Sequence, residues 1–229
     1  MRLDFGRPVG ESHPPFIIAS MDCQELGSLE HALEAIDVAA KSNVDAIKLA
    51  RMPFAWCAAL IERAETRNLT LFTPALDEAE VSRLDWLGAS GFYLFFNWSD
   101  LDLVARAAAT GKPIVLQVGT ATKAELAEVV ATAQAHGDGG IALVQSVIDL
   151  DLEGLDALHS HGSVIGIVDN SPCSKIPVAA IHRGASLVEK RFSLKPGATQ
   201  LCPAEVSAVV RDCEQAWLSL GDDRAWTVN

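Results

Sequence analysis

The feature that most constrains this chain is a rhythm: from residue 16 onward a short apolar run is followed by a longer segment with helical spacing, eight times over. The runs read as strands are FIIAS (16–20), DAIKLA (45–50), TLFTPA (70–75), GFYLF (91–95), PIVLQVG (113–119), IALVQSV (141–147), SVIGIVD (163–169) and LVEKRFS (187–193). Strands this continuously apolar, separated by helices, belong to a parallel sheet covered on its outer face. The units start roughly 21 to 29 residues apart, and eight of them match a closed barrel of about 250 residues. An open doubly wound sheet is the alternative, but it usually has fewer units and a glycine-rich first strand-to-helix turn, which SMDCQELG is not. The chain therefore reads as α/β class: a single (β/α)8 TIM barrel over 16–229, with residues 1–15 as an N-terminal flap or small hairpin.

The intervening segments carry helical signals. Leu29, Leu33, Ile36 and Ala40 fall on one face, as do Leu126, Val129, Val130 and Ala133, and Val206, Val209, Val210, Cys213 and Trp217 in the last segment. Thr122 with Glu125 and Asp77 with Glu80 have capping-box spacing, and Pro203 suits a first helical turn. Gly111 and Gly162 stand where helices should stop.

Charge and cysteine content narrow the function classes. A formal net charge of −12 argues against nucleic acid, whose phosphates are met by clustered Lys and Arg. No apolar run approaches the roughly 18 residues of a membrane span, and MRLDFGRPVGESHPP lacks the apolar core of a signal peptide, so a cytoplasmic location is expected. The five cysteines, Cys23, Cys57, Cys173, Cys202 and Cys213, include no C-x-x-C pair and fit reduced thiols. Cys23, Cys173 and Cys202 fall at one end of the expected barrel. A soft-metal or reactive-thiol cluster there is the sharper reading, unrelated loop thiols the blander one.

Barrels of this kind do chemistry at the C-terminal ends of their strands. That rule selects Ser20 to Glu25, Lys48, Arg51, Thr73, Phe95 to Asn97, Gln117, Thr120, Thr122, Gln145, Ser146, Asp169 to Ser174 and Glu189 to Thr199, with Asn97, Asn170, Lys190 and Arg191 among them. Lys48 interrupts an apolar strand on the Ala46/Ala50 face. It either meets a substrate anion or is neutralised internally by Asp169 or Glu189, because an unpaired buried charge costs several kcal/mol. Alternation puts Glu189 and Arg191 on one face of the last strand and Lys190 on the other. Thr120 and Thr122 open a helix behind Gly119, either as an anion cradle or as an ordinary cap. None of the six histidines falls at a strand's C-terminal end, so no histidine metal site or Ser-His-Asp arrangement is expected.

At these same positions the sequence resembles the N-acetylneuraminate (sialic acid) synthase family over nearly the whole barrel. FIIAS followed by DAIKLA is similar to that family's Y-I-I-A-E and D-A-V-K-F-Q, LFTPALDEAEVSRLDWLGA to its S-T-P-F-D segment, and TGKPIVLQVGTAT to T-G-K-P-I-I-L-S-T-G-M-A. GIVDNS stands at G-Y-S-D-H-T, and VEKRFSLKPG at E-K-H-F-T-L-D with its P-G continuation. The resemblance implies condensation of phosphoenolpyruvate with an N-acylated amino sugar, aided by a divalent metal, usually manganese. It implies that Lys48 and Thr73 hold phosphoenolpyruvate, and that Asp169 and Lys190 are retained.

The departures are as informative. The family's two metal-binding histidines fall on Gln145 and Asn170, where neutral amides replace imidazoles. The first strand's carboxylate falls on Ser20, and the N-H-N-G loop on Gln24 to Gly27. The fourth strand's lysine and serine fall on Phe92 and Phe95, and its glutamate on Asn97. The serines after the fifth and sixth strands fall on Gln117 and Ile148. No counterpart of the family's C-terminal antifreeze-like domain is read here. The expectation is a condensing barrel with metal and phosphoenolpyruvate ligands largely replaced, no cofactor, and a small anionic or sugar-like ligand. The alternative is a non-catalytic binding or partner barrel, as a homodimer or paired with a complete synthase.

Overall fold

The computed structural model describes residues 3–96, 101–147, 152–161, 164–194 and 200–221. It opens with a hairpin, β1 (Leu3–Asp4) and β2 (Pro8–Val9), paired antiparallel. Eight parallel strands follow: β3 (Phe16–Asp22), β4 (Ala46–Ala50), β5 (Thr70–Phe72), β6 (Phe92–Phe95), β7 (Ile114–Gln117), β8 (Ile141–Val147), β9 (Val164–Asp169) and β10 (Leu187–Arg191). Their order in the sheet is β5-β4-β3-β10-β9-β8-β7-β6. The two ends of that order meet through a parallel bridge between Pro74 and Tyr93 and a 3.0 Å hydrogen bond from the Ala75 amide to the Tyr93 carbonyl. The sheet is therefore a (β/α)8 barrel, as the eight-fold rhythm requires.

Helices α1 (Cys23–Leu26), α2 (Leu29–Lys41), α3 (Cys57–Thr66), α4 (Glu78–Trp86), α5 (Leu101–Ala108), α6 (Lys123–His136), α7 (Glu153–His159), α8 (Lys175–His182) and α9 (Pro203–Ser219) fill the connections. Thr122 forms the capping box with Glu125. Asp77 caps α4 by accepting from the Glu80 amide, but Glu80 reaches back to the Leu76 amide at 2.7 Å, one residue before the cap. On α6 the buried residues are Leu126, Val129, Val130 and Ala133, as their spacing predicts. On α2 the fully buried face is Ala32, Ala35, Ile36 and Ala39, with Leu29, Leu33 and Ala40 only partly buried. Alanines let that helix lie close to the sheet, so the larger leucines flank the contact instead of filling it. Pro203 opens α9, and Gly111 takes a left-handed φ of 73° just past α5; Gly162 lies outside the described residues.

Strand alternation divides the core in two. Ile17, Ala19, Ile47, Leu71, Leu94, Leu116, Leu143, Ile167 and Val188 face outward and pack under the helices. Phe16, Ile18, Ala46, Phe72, Tyr93, Val115, Ala142, Val144, Val168 and Leu187 fill the bore. The hairpin plugs the bore's N-terminal end with Leu3, Phe5 and Val9. Phe5 lies 5.5 Å from the Phe16 ring and 5.1 Å from Phe72, edge-on to the latter. It also lies so close under β6 that a Cβ on Gly91 would stand 2.7 Å from its ring. Arg7 straps the hairpin down, donating to Asp45 at 2.6 Å and to the carbonyls of Pro14 and Pro15.

With its N-terminal end plugged, the bore is open to a ligand from the C-terminal mouth. Phe5→Ala should empty the plug and cost about 3–5 kcal/mol, read as a lower urea midpoint with an unchanged slope.

Candidate functional site at the mouth of the barrel

Lys48, the middle residue of β4, points into the bore, with its side chain only 8% exposed. Its ammonium forms an ion pair with Oε1 of Glu189, across β3 on β10. Of the two internal partners that sequence leaves open, the structure selects Glu189. The second carboxylate oxygen, Oε2, accepts from the Tyr93 hydroxyl at 2.7 Å. That hydroxyl also lies 3.0 Å from Oε1 of Gln117, whose amide nitrogen donates to Ser146 Oγ at 2.9 Å. The Lys48 ammonium stands 4.1 Å from the centre of the Tyr93 ring and 5.7 Å from that of Phe95, close enough for cation–π attraction. Burial, and then the adjacent Glu189 carboxylate, push the Tyr93 phenol well above its ordinary pKa, so it stays a hydrogen-bond donor at neutral pH.

Sequence reasoning missed one member of this chain of contacts, Tyr93, whereas Ser146 stood among the strand-end candidates. Tyr93 was legible in principle. It is the one tyrosine in the protein, on the same face of β6 as Phe95, with a hydroxyl that burial obliges to find a partner. Ser146 is the inward neighbour of Gln145, one step along the alternation.

Several expected site residues lie elsewhere. Lys190 and Asp169 stand among the strand-end candidates for anion binding, but both point outward from the wall. Lys190 is 1% exposed and Asp169 fully buried. The Lys190 ammonium donates to Asp169 Oδ2 at 2.8 Å, to the Ser171 carbonyl and to the Cys173 carbonyl at 3.1 Å. Three acceptors use all three of its protons, so the pair fastens the loop after β9 and has no proton left for a ligand. Asp169 is likewise occupied, accepting from the Ser171 amide at 2.8 Å and hydroxyl at 3.0 Å.

Gln145 is not aimed at the mouth either. It alternates with Leu143 on the outer face and lies against α7, where a Cβ on Gly154 would stand 2.0 Å from its Oε1. Phe92 also faces the helices, whereas Phe95 faces the bore and is 39% exposed. Thr120 is exposed, and the Thr122 hydroxyl is used by its cap. Asn97 and Ile148 lie outside the described residues.

The remaining candidates do gather near the opening. Ser20 is buried, with its hydroxyl 3.4 Å from the Lys190 carbonyl. Arg191 shares the inward face with Glu189 and pairs at 2.6 Å with Glu25. Asn170 is exposed just beyond β9. Thr73 and Phe95, with Ala50, Arg51, Met52, Phe54 and Arg83, line a cavity of about 170 Å³ beside the mouth. Arg51 takes a left-handed φ of 53° immediately after β4 and pairs with Asp22.

The three cysteines at this end do not converge. Among the described residues no group of three or more His, Cys, Asp or Glu is placed to hold a metal. Burial, reinforced by neighbouring Cys57, pushes the Cys23 thiol up to about 11. Cys173 moves the other way: the Ser171 hydroxyl, 3.5 Å from its sulfur, lowers its pKa most, helped by backbone amides at the start of α8.

A sequence profile of the NeuB family matches residues 28–225. The chain belongs to the NeuB family. Among curated relatives of this NeuB-family barrel, the pseudaminic acid synthase of Campylobacter jejuni is 24% identical over 91% of this chain and 76% of its own length. The spore coat polysaccharide biosynthesis protein SpsE of Bacillus subtilis is 24% identical over 89% of this chain and 68% of its own. Two solved structures share the fold closely. SpsE superposes with a TM-score of 0.86, covering 96% of this chain and 73% of that one. The N-acetylneuraminic acid synthetase of Leptospira borgpetersenii superposes with a TM-score of 0.86 at 22% identity, covering 98% and 92%. No helix among the described residues is long and apolar enough to cross a membrane.

The two buried or half-buried cations of β10 should respond very differently to removal. Lys190→Met strands the Asp169 carboxylate and should cost about 3–5 kcal/mol, whereas Arg191→Ala should change stability by less than about 1 kcal/mol; urea unfolding of both variants reads the difference. In native protein at pH 8, iodoacetamide should label Cys173 ahead of Cys23 and Cys213, because its lowered pKa leaves more reactive thiolate. Ser171→Ala should slow that labelling, followed by peptide mass spectrometry.

Proposed function

We propose that this barrel carries out an altered form of sugar-acid synthesis: it joins a three-carbon 2-keto acid unit to the aldehyde of an N-acylated amino sugar at the mouth of the bore. The observation that carries this reading is the buried Lys48–Glu189–Tyr93 cluster, a proton donor and a phenol each held within hydrogen-bond reach of one carboxylate where barrels of this kind do chemistry. Relatives named pseudaminic acid synthase and N-acetylneuraminic acid synthetase support the reaction class.

The donor is the part that differs. The divalent metal implied by the sialic acid synthase resemblance does not fit the residues present. Gln145 offers an amide turned against α7, and Asn170 another amide, where a transition metal calls for imidazole. A phosphorylated donor fits no better. Lys48, the cation that would meet its phosphate, is already matched by a carboxylate and roofed by Phe95, and a phosphate dianion beside the Glu189 carboxylate is repelled. A donor carrying one carboxylate and no phosphate suits the mouth, where Arg191, half-exposed and held by Glu25, exchanges that partner for the donor's carboxylate.

A second reading has its own support. Because Lys48 is neutralised internally, the same mouth suits a binding or partner barrel that holds a small sugar acid without turning it over, alone, as a homodimer or beside a complete synthase.

Incubation with N-acetylmannosamine and either pyruvate or phosphoenolpyruvate, with manganese or with EDTA, separates these readings. The altered synthase predicts a nine-carbon 2-keto acid from pyruvate, formed at the same rate in EDTA. Absence of product from every pairing, with the sugar acid still bound by calorimetry, would leave the binding reading in its place.

A further inference from the structure

We infer that Lys48 is a Schiff-base nucleophile, whose amine condenses with the ketone of a small 2-keto acid while Glu189 and Tyr93 handle the protons. This rests on the condensing reading above and names the covalent route by which a donor without phosphate is activated.

Comparison of the chain's two buried lysines carries the argument. Lys190 has the form of a structural lysine, with three protons on three oxygen acceptors. Lys48 is almost as deeply buried, yet among the described residues its ammonium has one oxygen partner, Glu189 Oε1. Its other neighbours are the faces of Tyr93 at 4.1 Å and Phe95 at 5.7 Å. Aromatic faces attract a cation without consuming its protons as oxygen acceptors do. They also exclude water, and a desolvated lysine is the usual starting point for Schiff-base chemistry. Glu189 is at once its counter-ion and a place to put its proton.

Room for a substrate lies next door. Phe95 contacts the Lys48 side of the bore and also lines the cavity of about 170 Å³ that holds Thr73 and Arg51. Phe95, 39% exposed, thus stands against both the amine and the cavity. Arg191, on the inward face of β10 nearer the mouth and tied to Glu25 only at the surface, is placed to exchange that partner for a keto acid's carboxylate.

Glu189 accepts a proton from the ammonium, and the freed amine adds to the ketone carbon. The nitrogen passes its second proton to the alkoxide oxygen, Glu189 gives the first to the resulting hydroxyl, and that oxygen leaves as water, giving a protonated C=N bond. Glu189 then takes a proton from the adjacent carbon, and the resulting enamine attacks the sugar's aldehyde carbon. The aldehyde oxygen receives a proton from Tyr93, which Glu189 restores. Water hydrolyses the C=N bond, releasing the longer 2-keto acid and the amine. No oxidant, metal or phosphate is consumed.

The test treats the whole protein with pyruvate and sodium borohydride, without any sugar, and maps the adduct by peptide mass spectrometry. The expected result is a reduced three-carbon adduct on Lys48, absent when pyruvate or borohydride is omitted and absent in Lys48→Arg. Glu189→Gln, which keeps an acceptor for Tyr93, should trap roughly a hundredfold more slowly, its thermal transition serving as the folding control. Labelling confined to exposed lysines such as Lys41, or equal trapping by Glu189→Gln, would overturn the assignment. Since no sugar is present, a wrong acceptor in the condensing reading leaves this result untouched. Condensation without any Lys48 adduct would remove the Schiff base and keep the condensation.

Discussion

The last strand of the barrel carries a carboxylate and an ammonium on adjacent residues, and the two-residue period of a β-strand sends them in opposite directions. Glu189 turns into the bore and meets Lys48; Lys190 turns outward and meets Asp169. Neither Glu189 nor Lys190 is more than 2% exposed, so neither charge is tolerable alone. Pairing them to opposite sides lets one strand serve two purposes. The outward pair fixes the loop that follows β9, and the inward pair creates a polar centre inside an otherwise apolar cylinder.

That inward centre governs the reading of function. Tyr93, Gln117 and Ser146 extend it across the bore from β6 through β7 to β8, so the polar groups of five strands satisfy one another instead of waiting for solvent. With the hairpin sealing the opposite end, a ligand approaches the bore from the mouth, past Phe95 and Arg191. A cation already matched by a carboxylate and lined by aromatic faces favours proton transfer within the cluster over capture of a phosphate.

The NeuB profile spans 28–225, and two solved structures superpose with TM-scores of 0.86, so the scaffold is shared even where side chains differ.

Much of this was visible without coordinates. The eight apolar runs, their spacing and the helix caps at Thr122 and Pro203 determined a parallel barrel, because local periodicity and capping depend on near neighbours in the chain. Sequence also confined Lys48's neutralising partner to Asp169 or Glu189. It did not choose between them, since that depends on which residue of a strand far along the chain comes level with Lys48 across β3. Nor did it reveal that Lys190 and Asp169 lie behind the wall, that Gln145 leans on Gly154, or that Tyr93 joins the cluster. Those outcomes follow from the stagger of strands and the approach of helices, which bring together residues separated by up to 141 positions. Sequence by itself determined the cylinder and the candidates around its rim; tertiary structure alone decided which of them face one another, because burial makes a charge's partner a matter of three-dimensional register.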